Sequence, residues 1–354
     1  MANKSIKDFP ENTSPSGEWF VLVDDGTGCY YKVKLKNLPG GGVFTTTSTS
    51  TTGTTTTAAP TTTSTTSSTT TAAGGSTTSS TTSSSTTSTT TSTTTGCVSD
   101  VTDPDALAFI DATGITDCII KNALQAFVAG VKSDGLWTKM KAIYPFVGGT
   151  ASTHKFNLKN PADTDAAFRI VFNGGVTHNA NGVTFDGLTG YGDTKFDITK
   201  FTSITNLSTG VYIRTTRNLA LDDGIDFGVE NPGVNRNFLY VGVRYYPNSG
   251  AFITQTLTDG QPYGFINASV NGTASKIHRN GTLTISGVTA NDIPPAAGQN
   301  WFVGAANNTL GGASDFSNRN YAFMILGDAL SDGENTSLYN RIQTFQTALG
   351  RQVV

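Results

Sequence analysis

The side chains best suited to chemistry are three histidines, one crowded run of carboxylates, and two strand-like segments that alternate aliphatic with Tyr/Arg residues. His154, His178 and His278 stand far apart and singly, with no Ser or Cys nucleophile motif beside any of them. They imply neither a catalytic triad nor a zinc site. The run Leu221-Asp222-Asp223-Gly224-Ile225-Asp226, followed by Glu230, offers oxygens that suit Ca²⁺. Its spacing matches no EF-hand loop, so it reads as a solvated turn and no metal site is assigned. Gly174-Gly175, Gly311-Gly312 and Gly40-Gly41-Gly42 lack a following phosphate-binding helix and read as turns and hinges.

The alternating segments say more. From Gly210 to Thr215, Val211, Ile213 and Thr215 oppose Tyr212 and Arg214. From Phe238 to Tyr246, read as one strand, Leu239, Val241, Val243 and Tyr245 oppose Tyr240, Arg244 and Tyr246. The aliphatic faces belong in a core. Tyr and Arg are enriched at binding surfaces because they combine large contact area with hydrogen bonding. Tyr212, Arg214, Tyr240, Arg244 and Tyr246 are therefore the candidate ligand-binding residues. The bland alternative is an ordinary outer sheet face or a subunit contact.

These segments sit within a longer run of strand signals. From about Lys155 the hydrophobic period is two, punctuated by Gly, Asn and Asp, with strands expected at 167–172, 210–215, 238–246, 251–257, 263–270, 276–279, 301–306 and 321–326. Even spacing of short strands argues for a sandwich or jelly roll. Helix signals come first: Asp103-Pro104 opens a helix ending near Gly114, and a second runs from about Asp117 to Lys132 with Ile120, Leu124, Phe127, Val128 and Val131 on one face. Residues 136–143 read as a short third helix. A closing helix starts at a Ser331/Glu334 capping box, carries Leu338, Ile342, Phe345 and Leu349, and ends at Gly350.

Composition divides the 354 residues. From Thr45 to Thr95, 43 of 51 positions are Thr or Ser, and none is charged, aromatic or a large aliphatic, so this tract cannot build a core. As a coil it separates its ends by roughly 40 Å, and fully extended by roughly 170 Å. Either way it is a spacer. Ahead of it, residues 18–25 and 29–35 form a hairpin around Gly26-Thr27-Gly28, with Trp19, Val21 and Val23 facing Tyr31, Val33 and Leu35. A lone hairpin is marginal in water, so the head needs copies of itself or a host surface.

A net charge of −3 with 14% charged residues excludes the usual nucleic-acid footprint. No run of 18 apolar residues spans a membrane, and the N-terminus lacks a signal-peptide core, so synthesis in a cytosol is expected. Cys29, Cys97 and Cys118, an odd number at no metal-ligand spacing, read as free thiols, with an interchain disulfide at Cys97 as the alternative.

Two regions carry a resemblance. YAFMILGDALSDGENTSLYNRIQTFQTALGR at 321–351, with LWTKMKAIYPFVGG at 136–149 and AAFRIVFNGG at 166–175, resembles concanavalin A-like (laminin-G-like) jelly rolls of bacteriophage structural proteins. The head, with Phe9-Pro10 and the hairpin ending KVKLKNL at 32–38, resembles N-terminal attachment segments of phage fibre and spike proteins. The resemblance implies a mainly β virion fibre on the virion surface, made in the host cytoplasm and usually a homotrimer. Residues 1–44 would attach it to other virion proteins, 45–96 form the stalk, 97–154 a helical collar, and 155–354 a jelly roll that binds a host-surface glycan. Relatives that cleave glucans carry Glu-x-Asp-x-x-Glu on one strand; no such strand exists here, so no enzymatic activity and no cofactor are expected. The alternatives are a decorating protein that touches only virion partners and a cryptic glycan hydrolase. A mucin-like secreted protein conflicts with the missing signal peptide.

Overall fold

Alternation sets the first unit, residues 1–94. The computed structural model describes residues 12–13, 19–24, 30–35, 101–203, 205–215, 224–231, 235–240, 244–247, 253–254, 263–288, 298–308 and 312–353. In the first unit β1 (Asn12–Thr13), β2 (Trp19–Asp24) and β3 (Tyr30–Leu35) pair antiparallel in that order. The register sets Trp19 against Leu35, Val21 against Val33 and Val23 against Tyr31, as the alternation predicts. The turn, the Ser/Thr tract, Cys29 and Cys97 lie outside the described residues.

The second unit, residues 95–354, opens with two capped helices. α1 (Pro104–Thr113) has Asp103 accepting from the Asp105 and Ala106 amides and ends at Gly114, φ 66°. In α2 (Cys118–Ser133), Asp117 accepts from the Ile120 amide. Cys118 is disulfide-bonded, which corrects its reading as a free thiol. The segment expected as a third helix is instead β4 (Met140–Tyr144), antiparallel to the closing strand. Ala142 and Tyr144 enter one buried cluster and Ile143 between them the other, so neighbouring residues are buried on opposite sides, as in a strand.

There follow α3 (Ala151–His154), β5 (Val171–Asn173), β6 (Val176–Asn179), β7 (Gly182–Phe185), β8 (Tyr191–Asp197), β9 (Asn206–Ile213), β10 (Ile225–Asn231), β11 (Asn235–Tyr240), β12 (Arg244–Pro247), β13 (Ile253–Thr254), β14 (Gly264–Asn271), β15 (Ala274–Arg279), β16 (Thr282–Val288), β17 (Asn300–Val303), β18 (Ala306–Asn308), β19 (Gly312–Ser314), β20 (Asn320–Gly327) and α4 (Asp332–Ala348). The strand expected at 167–172 is displaced by a 3-10 turn at Asp165–Ala167 and starts only at Val171. One sheet runs β13-β12-β11-β10-β17-β8-β5, with β18 and β19 attached; the other runs β16-β15-β14-β9-β20-β7-β6, with β4 on β20. Gly174 shows why a glycine turns β5 into β6: at φ 68°, a Cβ there would fall 2.0 Å from the Thr189 carbonyl oxygen.

The fold is mainly β: a jelly-roll-like sandwich preceded by short helices and closed by a helix. Between the sheets pack Val211, Ile213, Ile266, Met324 and Leu326 from one and Phe196, Phe227, Leu239, Trp301 and Val303 from the other. The outer face of the β9–β20 sheet is covered as well. Phe127 of α2 meets Phe323 of β20 at 5.2 Å and Phe345 of α4 at 5.4 Å between ring centroids, and Tyr212 and Phe265 join the same cluster. The expected collar is thus a third layer on the sandwich. That explains β20, whose eight residues are all buried: a strand covered on both faces is apolar without alternation. Among the described residues, none of the other sheet belongs to this helix-facing cluster.

Candidate functional site

The five Tyr/Arg candidates fall on two different sheets. Tyr212 lies on β9 beneath α4 and is fully buried. Its hydroxyl donates to Gln343 Oε1 at 2.8 Å and accepts from the Val353 amide at 3.0 Å. Burial raises its pKa. Arg214 donates through Nε to the Arg351 carbonyl at 2.7 Å. The expected open face is therefore occupied by the closing helix and the segment after it, and both residues hold that segment down. Arg351 secures it further. Fully buried, its guanidinium donates to Gln346 Oε1 and to the carbonyls of Pro145, Phe146 and Ala322. Burial, with Arg214 nearby, lowers its pKa to about 9.

Residues 238–246 are a hairpin, not one strand. Leu239 of β11 pairs with Tyr245 of β12, Tyr240 with Arg244, and Phe238 with Tyr246. Leu239 and Tyr245 are buried in the sandwich core. Residues 241–243 lie outside the described ones.

The carboxylate run is used by the fold. Asp226 is buried, with Oδ1 2.7 Å from Arg319 and accepting from the Tyr321 hydroxyl at 2.7 Å. Asp222 and Asp223 lie outside the described residues. Among the described residues, no three His, Cys, Asp or Glu side chains converge as a metal site.

The histidines do not all stand alone, as their sequence separation had implied. His278 Nε2 lies 2.9 Å from Asp332, which Lys276 also meets. His154 and His178, 24 residues apart, bring Nδ1 to Nδ1 at 3.0 Å. Burial lowers the pKa of both, that of His154 to about 3. Nothing in their spacing signals the contact, because it depends on the last residue of α3 meeting β6 in the fold. A cleft of about 490 Å³ is bordered by Ile115, Ile119, Val147, Thr150, Thr153 and Leu349, and by Gly149, whose amide donates to His154 Nε2. It is the kind of concavity that takes a small ligand. Sequence reading missed it because its walls come from four separate segments.

No family model matches the chain, and no curated protein matches it in sequence. Among solved structures, domain 4 of AbnA, a GH43 extracellular arabinanase from Geobacillus stearothermophilus, in complex with arabinotriose, is similar at 16% identity and TM-score 0.38, over 56% of this chain and 98% of that one. The binding domain of Paraclostridial Mosquitocidal Protein 1 gives 13% and 0.40, over 58% of this chain and 52% of that one. Trypanosoma rangeli sialidase gives 11% and 0.37, over 62% and 39%. The chain thus spans about half or less of the last two. At these values the likeness adds nothing to what the strand order already establishes.

Proposed function

We propose that this chain is a non-enzymatic fibre subunit on a virion surface. Residues 1–44 attach it to other virion proteins, the Ser/Thr tract sets the distance, and the sandwich binds a host-surface glycan as part of a homotrimer. The observation that carries this reading is the layout: a small three-stranded unit, a featureless spacer and one large sandwich with its own layered core. Such a layout suits avidity, since several tethered weak sites raise effective affinity by about 10²–10⁴. With Tyr212 and Arg214 committed to the fold, the glycan contact falls to the β11–β12 hairpin at Tyr240, Arg244 and Tyr246.

The test is binding of the full chain, a 97–354 fragment and a 1–96 fragment to host cells and a glycan array. The reading expects the sandwich fragment to bind specific glycans, more weakly than the full chain, and the head fragment to bind none. Blank arrays with capture of virion proteins would establish the decorating role instead. Released sugar would establish a hydrolase.

A further inference from the structure

The two histidines brought together by the fold share a single proton in one direction. The Gly149 amide donates to His154 Nε2 at 3.2 Å, so that nitrogen presents a lone pair. In a neutral ring the proton then sits on Nδ1. His154 Nδ1 therefore donates to His178 Nδ1 across 3.0 Å, and His178 keeps its proton on Nε2. No further proton fits without breaking this arrangement. On His178 Nδ1 it would face the N–H of His154, and on His154 Nε2 it would face the Gly149 amide.

The surroundings favour the neutral pair. Phe146 borders His154 at 5.9 Å between centroids, and Phe172 of β5 stands edge-on to His178 at 4.6 Å. Burial acts first on His154, and charge on His178 or on the Arg351 cation after α4 opposes a further one there. Lys155, the next residue along the chain, is paired with Asp163. Among the described residues no carboxylate acts on either ring. The contact also has a mechanical consequence. His178 lies on β6, outermost in its sheet, while Thr150 and Thr153 wall the larger cleft and Ala151, Ser152 and Lys155 wall a second of about 350 Å³.

The geometry points to an acid-sensitive latch: at neutral pH the His154–His178 bond holds α3 and the Gly148–Thr150 turn against edge strand β6, and protonation of the two rings releases that segment. Release loosens the wall between the two clefts and uncovers the edge strand. Histidine clusters act as switches in this pH range because their free pKa lies near 6.5. The inference does not depend on the glycan reading.

Two measurements on the full chain test it. Side-chain ¹⁵N NMR at pH 7.5 should show His154 protonated on Nδ1 and His178 on Nε2; the reverse tautomer at His154 overturns the latch. Hydrogen exchange at residues 148–154, corrected for intrinsic rates, should show opening rise by more than about 30-fold between pH 7.5 and 5, since His154 alone contributes about 30-fold and His178 adds to it. The rise should fall to about 30-fold in His178→Asn and vanish in His154→Gln/His178→Asn. A rise below tenfold in the parent chain, or an undiminished rise in the double variant, overturns the latch. Should the double variant fail to fold, the tautomers and the parent titration decide.

Discussion

Strand β9 and the β11–β12 hairpin carry the same signature, aliphatic positions alternating with Tyr and Arg, yet the molecule uses them differently. On β9 the second face is taken by α2 and α4: Tyr212 becomes an internal hydrogen-bond post, and Arg214 ties down the segment that follows α4. The hairpin belongs to the other sheet, from which no described residue enters the helix-facing cluster. The period of a strand says that it has two different faces. What lies against the second face is decided elsewhere in the chain, by the helices whose apolar stripes need a partner.

The strongest way to break the contrast is to remove the cover. Phe127→Ala deletes a ring packed between Phe323 and Phe345 and should cost about 3–5 kcal/mol in denaturant unfolding. A cost below about 1 kcal/mol would mean that the helices are not part of the sandwich. Arg351→Met strands the carbonyls of Pro145, Phe146 and Ala322 without a donor and should cost about 2–3 kcal/mol by the same measurement. Acid comes next. The folded pKa of His154, about 3, lies below its unfolded value near 6.5, so the unfolded chain binds the extra proton first. Its contribution is complete above pH 6.5 and declines as pH falls toward 3, at about 1.4 kcal/mol per pH unit; unfolding free energies at pH 7 and 5 should differ by about 2 kcal/mol from this residue. Tyr212→Phe loses one hydroxyl and should cost about 1 kcal/mol. Asp134→Asn weakens the partly exposed pair with Arg341 that links the end of α2 to α4, and should cost under about 1 kcal/mol, less in high salt.

Local signals were legible in the sequence wherever one residue type does one job. The Asp103 and Asp117 caps, the Ser331/Glu334 box and the head register all follow from hydrogen-bonding groups placed next to where they act. Layering was not legible from any single segment. The stripes Leu124-Phe127-Val131 and Leu338-Ile342-Phe345 demanded an apolar partner, and the unbroken run Tyr321–Leu326 was that partner. Matching the two would have moved Tyr212 inside. The helix expected at 136–143 failed for a related reason: β4 is buried on both sides, which hides its period. The His154–His178 contact has no sequence signal, because it arises only when the last residue of α3 meets a residue of an edge strand 24 positions later in the chain.

The contrast between the two Tyr/Arg segments is tested most directly by measuring glycan or host-cell binding and unfolding free energy together for Tyr212→Phe and for Tyr240→Ala/Arg244→Ala in the full chain. The account predicts a crossed result: Tyr212→Phe loses about 1 kcal/mol of stability and keeps its binding, while the hairpin variant keeps its fold and loses binding at least about tenfold. A hairpin variant that binds as well as the parent chain would contradict it.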